Sequence, residues 1–414
     1  MFHKRLGIPL ARRLFEASLR YLKTHNPHSA RTLPASARAP AVVLHTGASL
    51  GAGGVDHARL WLPLLDAAGV EYLVAARTLD TYEALLREHP QMPVALIKDS
   101  ADTDKLFQHL PSIRAVLYVA NTANNNQFLR YPQLQHVFLG HGDSDKSASM
   151  NRLFKVYDEV YVSGQAHIDR FGHADFDASA IKFRIVGRPQ GAALLDDPRA
   201  GAAPSRIVYL PTWEGYHGDQ AYSSLPFAVP LLSAALASAM PVQAKLHPAT
   251  GVVHKPYQAA EASIAAALAG SGGAVEFIPR SRRLTEVLAP GAIYVCDVSA
   301  AVSECLALDG PIFVHLPPGP GVRIVSGRMG YADYAYTYGS VDEFRHKLQQ
   351  VLAGDDPLAE ARQAAREYFI SPQASRSGAF VDAIRSLAGA PPVTAPAVRA
   401  PRAPRPHTET EAIL

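Results

Sequence analysis

The chain has 414 residues, more than one hydrophobic core ordinarily serves, so two domains are expected. Its 48% hydrophobic and 19% charged residues are those of a globular protein, neither fibrous nor intrinsically disordered. A formal net charge of +3 is too small to point to a nucleic-acid partner, and two cysteines, Cys296 and Cys305, exclude a disulfide framework and fit a reducing cytosol.

Taken in chain order, residues 1–23 carry Lys4, Arg5, Arg12, Arg13, Arg20 and Lys23 against the single acid Glu16. Phe2, Leu6, Leu10, Leu14, Phe15, Leu19 and Leu22 recur between them at roughly helical spacing. Such a basic amphipathic helix either lies on an anionic membrane surface or caps its own domain. No uninterrupted apolar stretch follows that start, as a secretory signal needs, and no run reaches the ~20 residues that span a bilayer. The expected location is cytoplasmic, with peripheral contact on the inner face of the membrane.

Residues 24–40 read as a polar, Pro-containing linker, which closes the segment 1–40. From Ala41 short apolar runs alternate with longer amphipathic ones: "AVVLHT", "EYLVAA", "PVALIK", "AVLYVA", "HVFLG", "EVYVSG", "KFRIVG". That rhythm predicts strands and crossover helices of a parallel sheet, a first Rossmann-like domain over 41–190. The stretch 192–205, with small residues and two prolines, interrupts it. "RIVYLPTW", "VQAKLHP", "AVEFIP", "AIYVCDVS" and "PIFVHL" then predict a second Rossmann-like domain over 205–385. Residues 386–414, rich in Pro and Ala, are expected to be a disordered tail. The predicted fold class is therefore α/β, two Rossmann-like domains facing one inter-domain cleft. Ligands of such sheets bind beyond the carboxyl ends of the strands, so the residues after each run matter most.

The first run delivers "HTGASLGAGG", which contains the formal G-x-S-x-G of a hydrolase elbow at Gly47–Gly51, with Ser49 as nucleophile. Position argues against it, because the hydrolase fold builds sheet and oxyanion loop upstream, and here only a basic helix and a linker precede. A tight Gly-rich turn before a helix is the favoured reading. "HVFLG" ends at His141-Gly142, followed by Asp143, Ser144, Asp145 and Lys146. Neighbours in sequence rarely form a Ser-His-Asp triad, and no second His or Cys stands at metal-ligand spacing beside His141. A histidine at a strand tip suits a general base, Lys146 suits a phosphate, and a capped surface loop is the plain alternative.

In the second half Thr212, Trp213, Glu214, Tyr216 and His217 follow one run, and Lys245 and His247 close the next. The proline after His247 holds that histidine extended, so its ring leaves the strand end in a fixed direction. "AIYVCDVSAAVSE" supplies Asp297, Ser299 and Glu304 around a helix N-terminus, where free N–H groups suit a pyrophosphate. Ser299 as a mere N-cap is compatible with that role. Together these residues place two histidines, a lysine, hydroxyls and a helix N-terminus around one cleft.

"GHGDSDK", "RIVYLPTWEG", "KLHP" and "YVCDVSAAVSECLALDGPIFV" occur in the order and rough spacing of the CDP-glycerol glycerophosphotransferase family, which the chain resembles over about residues 130–385. That family includes teichoic-acid and capsule polymerases, and "IVGRPQ" and "SPQASRSGAFVDAI" look like its domain-closing and terminal segments. The resemblance implies a GT-B fold and metal-independent, cofactor-free transfer of a polyol phosphate from a CDP-activated donor to a glycan or lipid-linked hydroxyl acceptor. It implies His141 as the base and His247 as the residue that contacts donor phosphates and stabilises the leaving group. Lys146, Thr212, Lys245, Asp297 and Ser299 fall at donor-binding positions, and Glu304 at an acidic position near the ribose.

Three departures stand out. Ala300 follows Ser299 where the family has a second serine, Val298 replaces an aromatic or His, and Asp143 and Asp145 make the His141 loop unusually acidic. Two carboxylates beside a dianionic donor repel it unless they pair with Lys146 or Arg152 or face acceptor hydroxyls. A GT-B glycosyltransferase using a nucleotide sugar for cell-surface polysaccharide is the runner-up, since one fold serves both chemistries. A non-catalytic ligand-binding relative is the third reading.

Overall fold

The computed structural model describes residues 39–215, 221–270, 273–317, 322–389 and 398–399. The basic helix expected over 1–23, Tyr216, His217 and most of the Pro/Ala-rich tail lie outside them.

Two parallel sheets follow one another along the chain. The first contains β1 (Val42–His45), β2 (Tyr72–Ala76), β3 (Val94–Leu96), β4 (Ala115–Tyr118), β5 (Gln135–Phe138), β6 (Glu159–Val162) and β7 (Lys182–Ile185). The second contains β8 (Arg206–Leu210), β9 (Val242–Ala244), β10 (Val275–Phe277), β11 (Ala292–Asp297), β12 (Ile312–His315) and β13 (Tyr336–Tyr338). A two-residue strand, β14 (Val398–Arg399), adds antiparallel to the edge of the first sheet at β7. The strand orders are β14-β7-β6-β5-β4-β1-β2-β3 and β10-β9-β8-β11-β12-β13.

The central strands are unbroken apolar runs because helices cover both faces of each sheet. All four residues of β1 are buried, with Val43 and Leu73 in one core and Val42, Leu44 and Val74 in the core on the other face. β11 is buried along its whole length between β8 and β12.

The chain end does not stay with the second unit. Helix Ala359–Ile370 lies against both the helix Gln165–Arg170 of the first unit and the turn Leu306–Leu308 of the second. Its Tyr368 hydroxyl donates to Asp169 Oδ2 at 2.7 Å and accepts from the Arg328 amide at 2.7 Å, joining both units. Helix Ala379–Leu387 then packs on helix Leu62–Ala68, where Phe380, Ala383 and Ile384 complete the first unit's core. Residues 379–385, grouped with the second domain on sequence order, thus sit in the first. Gly187 marks the crossing, with φ +73 and a position where a Cβ would lie 2.3 Å from the Ser375 amide nitrogen, so only glycine fits.

Candidate active site

Loops after β5, β8, β9 and β11 meet across the cleft between the two sheets. Gly142 and Ala300 approach closely, since a Cβ at Gly142 would lie 2.8 Å from the Ala300 methyl. Residue 142 is held to glycine there, because the Ala300 methyl occupies the space a side chain would need.

His141 leaves β5 through Gly140, whose φ is +70 and whose carbonyl accepts from Trp61 Nε1 at 2.8 Å. Its Nδ1 lies 2.8 Å from the Val119 carbonyl. A carbonyl only accepts, so Nδ1 carries the proton and Nε2 keeps a lone pair. The residue is exposed to the cleft, but the protein packed around its ring desolvates it and, with Arg188 nearby, lowers its pKa from the usual histidine value. His141 is thus neutral, with Nδ1 held by its backbone contact and Nε2 able to accept a proton.

His247 has the opposite arrangement. The Ala249 amide donates to its Nδ1 at 3.0 Å, so the neutral ring carries its proton on Nε2. Burial, with Lys146, Lys245 and His141 close by, pushes its pKa down to about 3. The ring stacks on Trp213 with centroids 6.3 Å apart. One histidine therefore offers an acceptor nitrogen to the cleft and the other a donor.

Lys146 Nζ bridges the two units by donating to Thr212 Oγ1 at 2.9 Å, and it stands 5.1 Å from the Tyr222 ring centroid. Burial lowers its pKa to about 8 despite the attraction of Asp297. Lys245 donates to the Arg280 carbonyl at 3.2 Å and is likewise pushed down by burial. Lysines desolvated without a full counter-charge suit an anionic ligand that is not part of the chain.

Asp297 lies beneath this surface, wholly buried. Its Oδ2 accepts from the Thr212 and Ser224 amides at 2.8 and 3.0 Å, while Oδ1 is buried without a hydrogen bond, 3.8 Å from His315 Nδ1. It holds the loop that presents Thr212 rather than lining the cleft. Burial raises its pKa to about 6. A carboxyl whose folded pKa is raised stabilises the fold below its unfolded value and loses that contribution as pH rises through about 6. Asp297→Asn keeps an oxygen for both amides and removes the charge. It should therefore be more stable than wild type at pH 7.5, by up to ~2 kcal/mol and with a higher melting temperature, and the gap should close toward pH 4. A pH series of melting curves checks this.

Ser299 caps the helix Ala300–Cys305 by accepting from the Ala301 amide at 3.3 Å. Glu304 Oε1 accepts from Arg188 Nη2 at 2.5 Å in an ion pair between the units. Any ribose contact shares that carboxylate. The acidic pair is settled differently from either expectation, since Asp143 and Asp145 turn inward to Arg170. Arg170 Nη2 meets Asp143 Oδ2 at 2.9 Å, its Nη1 also contacts Asp143, and its Nε meets Asp145 Oδ1 at 2.7 Å. Ser326 Oγ and the Val325 amide of the second unit donate to Asp145 at 2.8 Å each, so the His141 loop is anchored from below. Glu214 does similar work opposite, its carboxylate accepting amides of Gly251, Val253 and His254 at 3.0–3.1 Å.

His57 was not indicated by the sequence. Its ring lies parallel to that of His141, with centroids 3.7 Å apart and planes 10° from parallel. Among the described residues, no three His, Cys, Asp or Glu are placed to hold a metal ion. No helix among them is long and apolar enough to cross a membrane. Ser49 Oγ hydrogen-bonds no histidine or carboxylate among the described residues, which removes geometric support for the hydrolase elbow.

Two parallel α/β units with a polar cleft at their carboxyl ends, tied by helices that return to the first unit, make this a GT-B fold. No protein-family model and no curated protein matches the chain. Solved structures do share the fold. The wall teichoic acid polymerase TagF, soaked with CDPG, is 14% identical over 94% of this chain and 99% of its own, with a TM-score of 0.52. Anabaena HepE in complex with UDP-glucose is 13% identical over 83% and 99%, with a TM-score of 0.50. A putative UDP-N-acetylglucosamine 2-epimerase from Listeria monocytogenes is 12% identical over 84% and 96%, with a TM-score of 0.51.

Proposed function

We propose that the protein transfers glycerol phosphate, or a related polyol or sugar phosphate, from a CDP-activated donor to a hydroxyl of a cell-surface glycan or lipid-linked acceptor. The observation that carries this reading is the pair of opposite, fixed tautomers. His141 Nε2 takes the acceptor's hydroxyl proton as that oxygen attacks the donor phosphorus next to the polyol. The bond from that phosphorus to the bridging oxygen breaks, and CMP leaves with the oxygen. His247 Nε2–H donates to this leaving phosphate as its charge grows, while Lys146, Lys245 and Thr212 hold the pyrophosphate. Asp297 and Ser299 act from behind, on the Thr212 loop and the helix N-terminus. Glu304 shares its carboxylate between Arg188 and the ribose. The acceptor meets the protein at the inner membrane face, to which the excess of Lys and Arg in residues 1–23 is suited.

TagF supports the cytidine donor through fold likeness joined to the His141, Thr212, Lys245-His247 and Asp297-Ser299 motifs. The test is thermal stabilisation by CDP-glycerol, CDP, UDP-glucose and a GDP sugar. A ligand at a hundred times its Kd adds ~2.7 kcal/mol. The expected result is a cytidine-specific shift that His247→Ala abolishes. A shift with a uridine or guanosine sugar alone would replace this reading with that of a nucleotide-sugar glycosyltransferase.

A further inference from the structure

The Gly-rich segment 47–54 has no part in the transfer step, yet it leads directly into the helix Gly54–Arg59 that carries His57. Gly53 and Gly54 answer to packing. A Cβ at Gly54 would lie 2.3 Å from the Ala48 carbonyl oxygen, and the Gly54 amide donates to the Ser49 carbonyl at 2.9 Å, so the helix start is clamped to the turn. Gly53 has φ +85, and a Cβ there would lie 2.7 Å from His57 Nε2. Only glycine lets the imidazole fold back over the turn. His57 Nδ1 is buried without a hydrogen bond, so what this ring offers its neighbour is its face.

That neighbour needs a face. One hydrogen bond, from Nδ1 to Val119, fixes a point on the His141 ring and leaves its plane free to tilt. The groups around the ring are His57 from the helix, the Val119 carbonyl after β4, Arg188 after β7 and His247 after β9. Of these only His57 stacks on it. We propose that His57, with the glycine turn that seats it, is a positioning residue for His141: the stack fixes the ring plane, which keeps Nδ1–H on Val119 and Nε2 aimed into the cleft. The proposal rests on His141 being the base, but the stack has its own readout.

The test is histidine ring ¹⁵N spectroscopy of the full chain in wild type, His57→Leu, His57→Phe and Gly53→Ala. Leucine fills the space without a flat face, phenylalanine restores the face, and Gly53→Ala displaces the ring without changing it. Wild type and His57→Phe are expected to show His141 as one Nδ1–H tautomer. His57→Leu and Gly53→Ala are expected to show averaged tautomer shifts and a changed His141 titration between pH 5 and 8. Turnover of CDP-glycerol with free glycerol as acceptor should fall ~10–100-fold in His57→Leu, through kcat rather than KM, and recover substantially in His57→Phe. A single unchanged His141 tautomer and titration in both His57→Leu and Gly53→Ala would overturn the proposal. Tautomer loss in a protein that turns over no cytidine donor would uphold the stack and overturn the transferase reading instead.

Discussion

His141→Ala is expected to lower turnover by ~10²–10⁴-fold while leaving donor affinity within about threefold, because a general base acts in the transition state and not on the bound donor. The reason lies in the Val119 contact, which commits Nδ1 as a donor and leaves Nε2 as the only proton acceptor on that ring. Two ionisations should bound the pH profile of kcat/KM. The His141 pKa is lowered by desolvation, so its lone pair survives below the ordinary histidine range and the acid limb lies below pH ~6.5. Lys146 must be protonated to hold a phosphate, and its pKa of about 8 places the basic limb there. Steady-state rates from pH 5 to 9 test both limbs. In His141→Ala the acid limb should vanish and the basic one remain.

Arg170→Met is the substitution expected to cost most stability. Arg170 and Asp145 are each 1% exposed and Asp143 is 7% exposed, so the arginine compensates two carboxylates that water does not reach. Burial alone raises both carboxyls. Arg170 overcomes that for Asp143, whose pKa ends below its usual value, but not for Asp145, whose pKa stays raised. Removing one partner of a buried ion pair typically costs ~3–5 kcal/mol, much of it from the charge left behind. The expected result is a melting temperature lower by several degrees or a chain that fails to accumulate folded. Adding Asp143→Asn and Asp145→Asn to Arg170→Met should recover a large part of the loss, since no buried charge then remains. Equal stability of wild type and Arg170→Met in thermal melts would contradict this account of the acidic loop.

What the sequence shows and what it hides divide along a physical line. Strands buried on both faces must be continuous apolar runs, and the residue after each run must sit at the sheet's carboxyl edge. That is why the pattern alone leads one to expect His141, Lys146, Thr212, Lys245 and His247 around one cleft. Depth is not written in such a pattern. Asp297 is the last residue of β11 and Thr212 comes just after β8, yet Asp297 lies underneath, where it accepts the Thr212 and Ser224 amides. Contacts between distant segments are equally invisible. Nothing in the spacing of Arg170 announces Asp143 and Asp145, and nothing in that of Phe380 announces Trp61, 4.9 Å away between ring centroids. His57 was hidden for another reason: Gly47 and Gly51 before it satisfy a hydrolase pattern, while the glycine that seats its ring, Gly53, lies outside that pattern.

The most direct measurement of the central claim is ³¹P NMR of CDP-glycerol incubated with the purified protein and glycerol as acceptor, in wild type and His141→Ala. The account predicts loss of the pyrophosphate signals in wild type, with CMP and a glycerol phosphodiester appearing together in equal amounts, and a rate lower by ~10²-fold or more in the variant. Intact CDP-glycerol in both samples, or CMP release at equal rates in both, would contradict it.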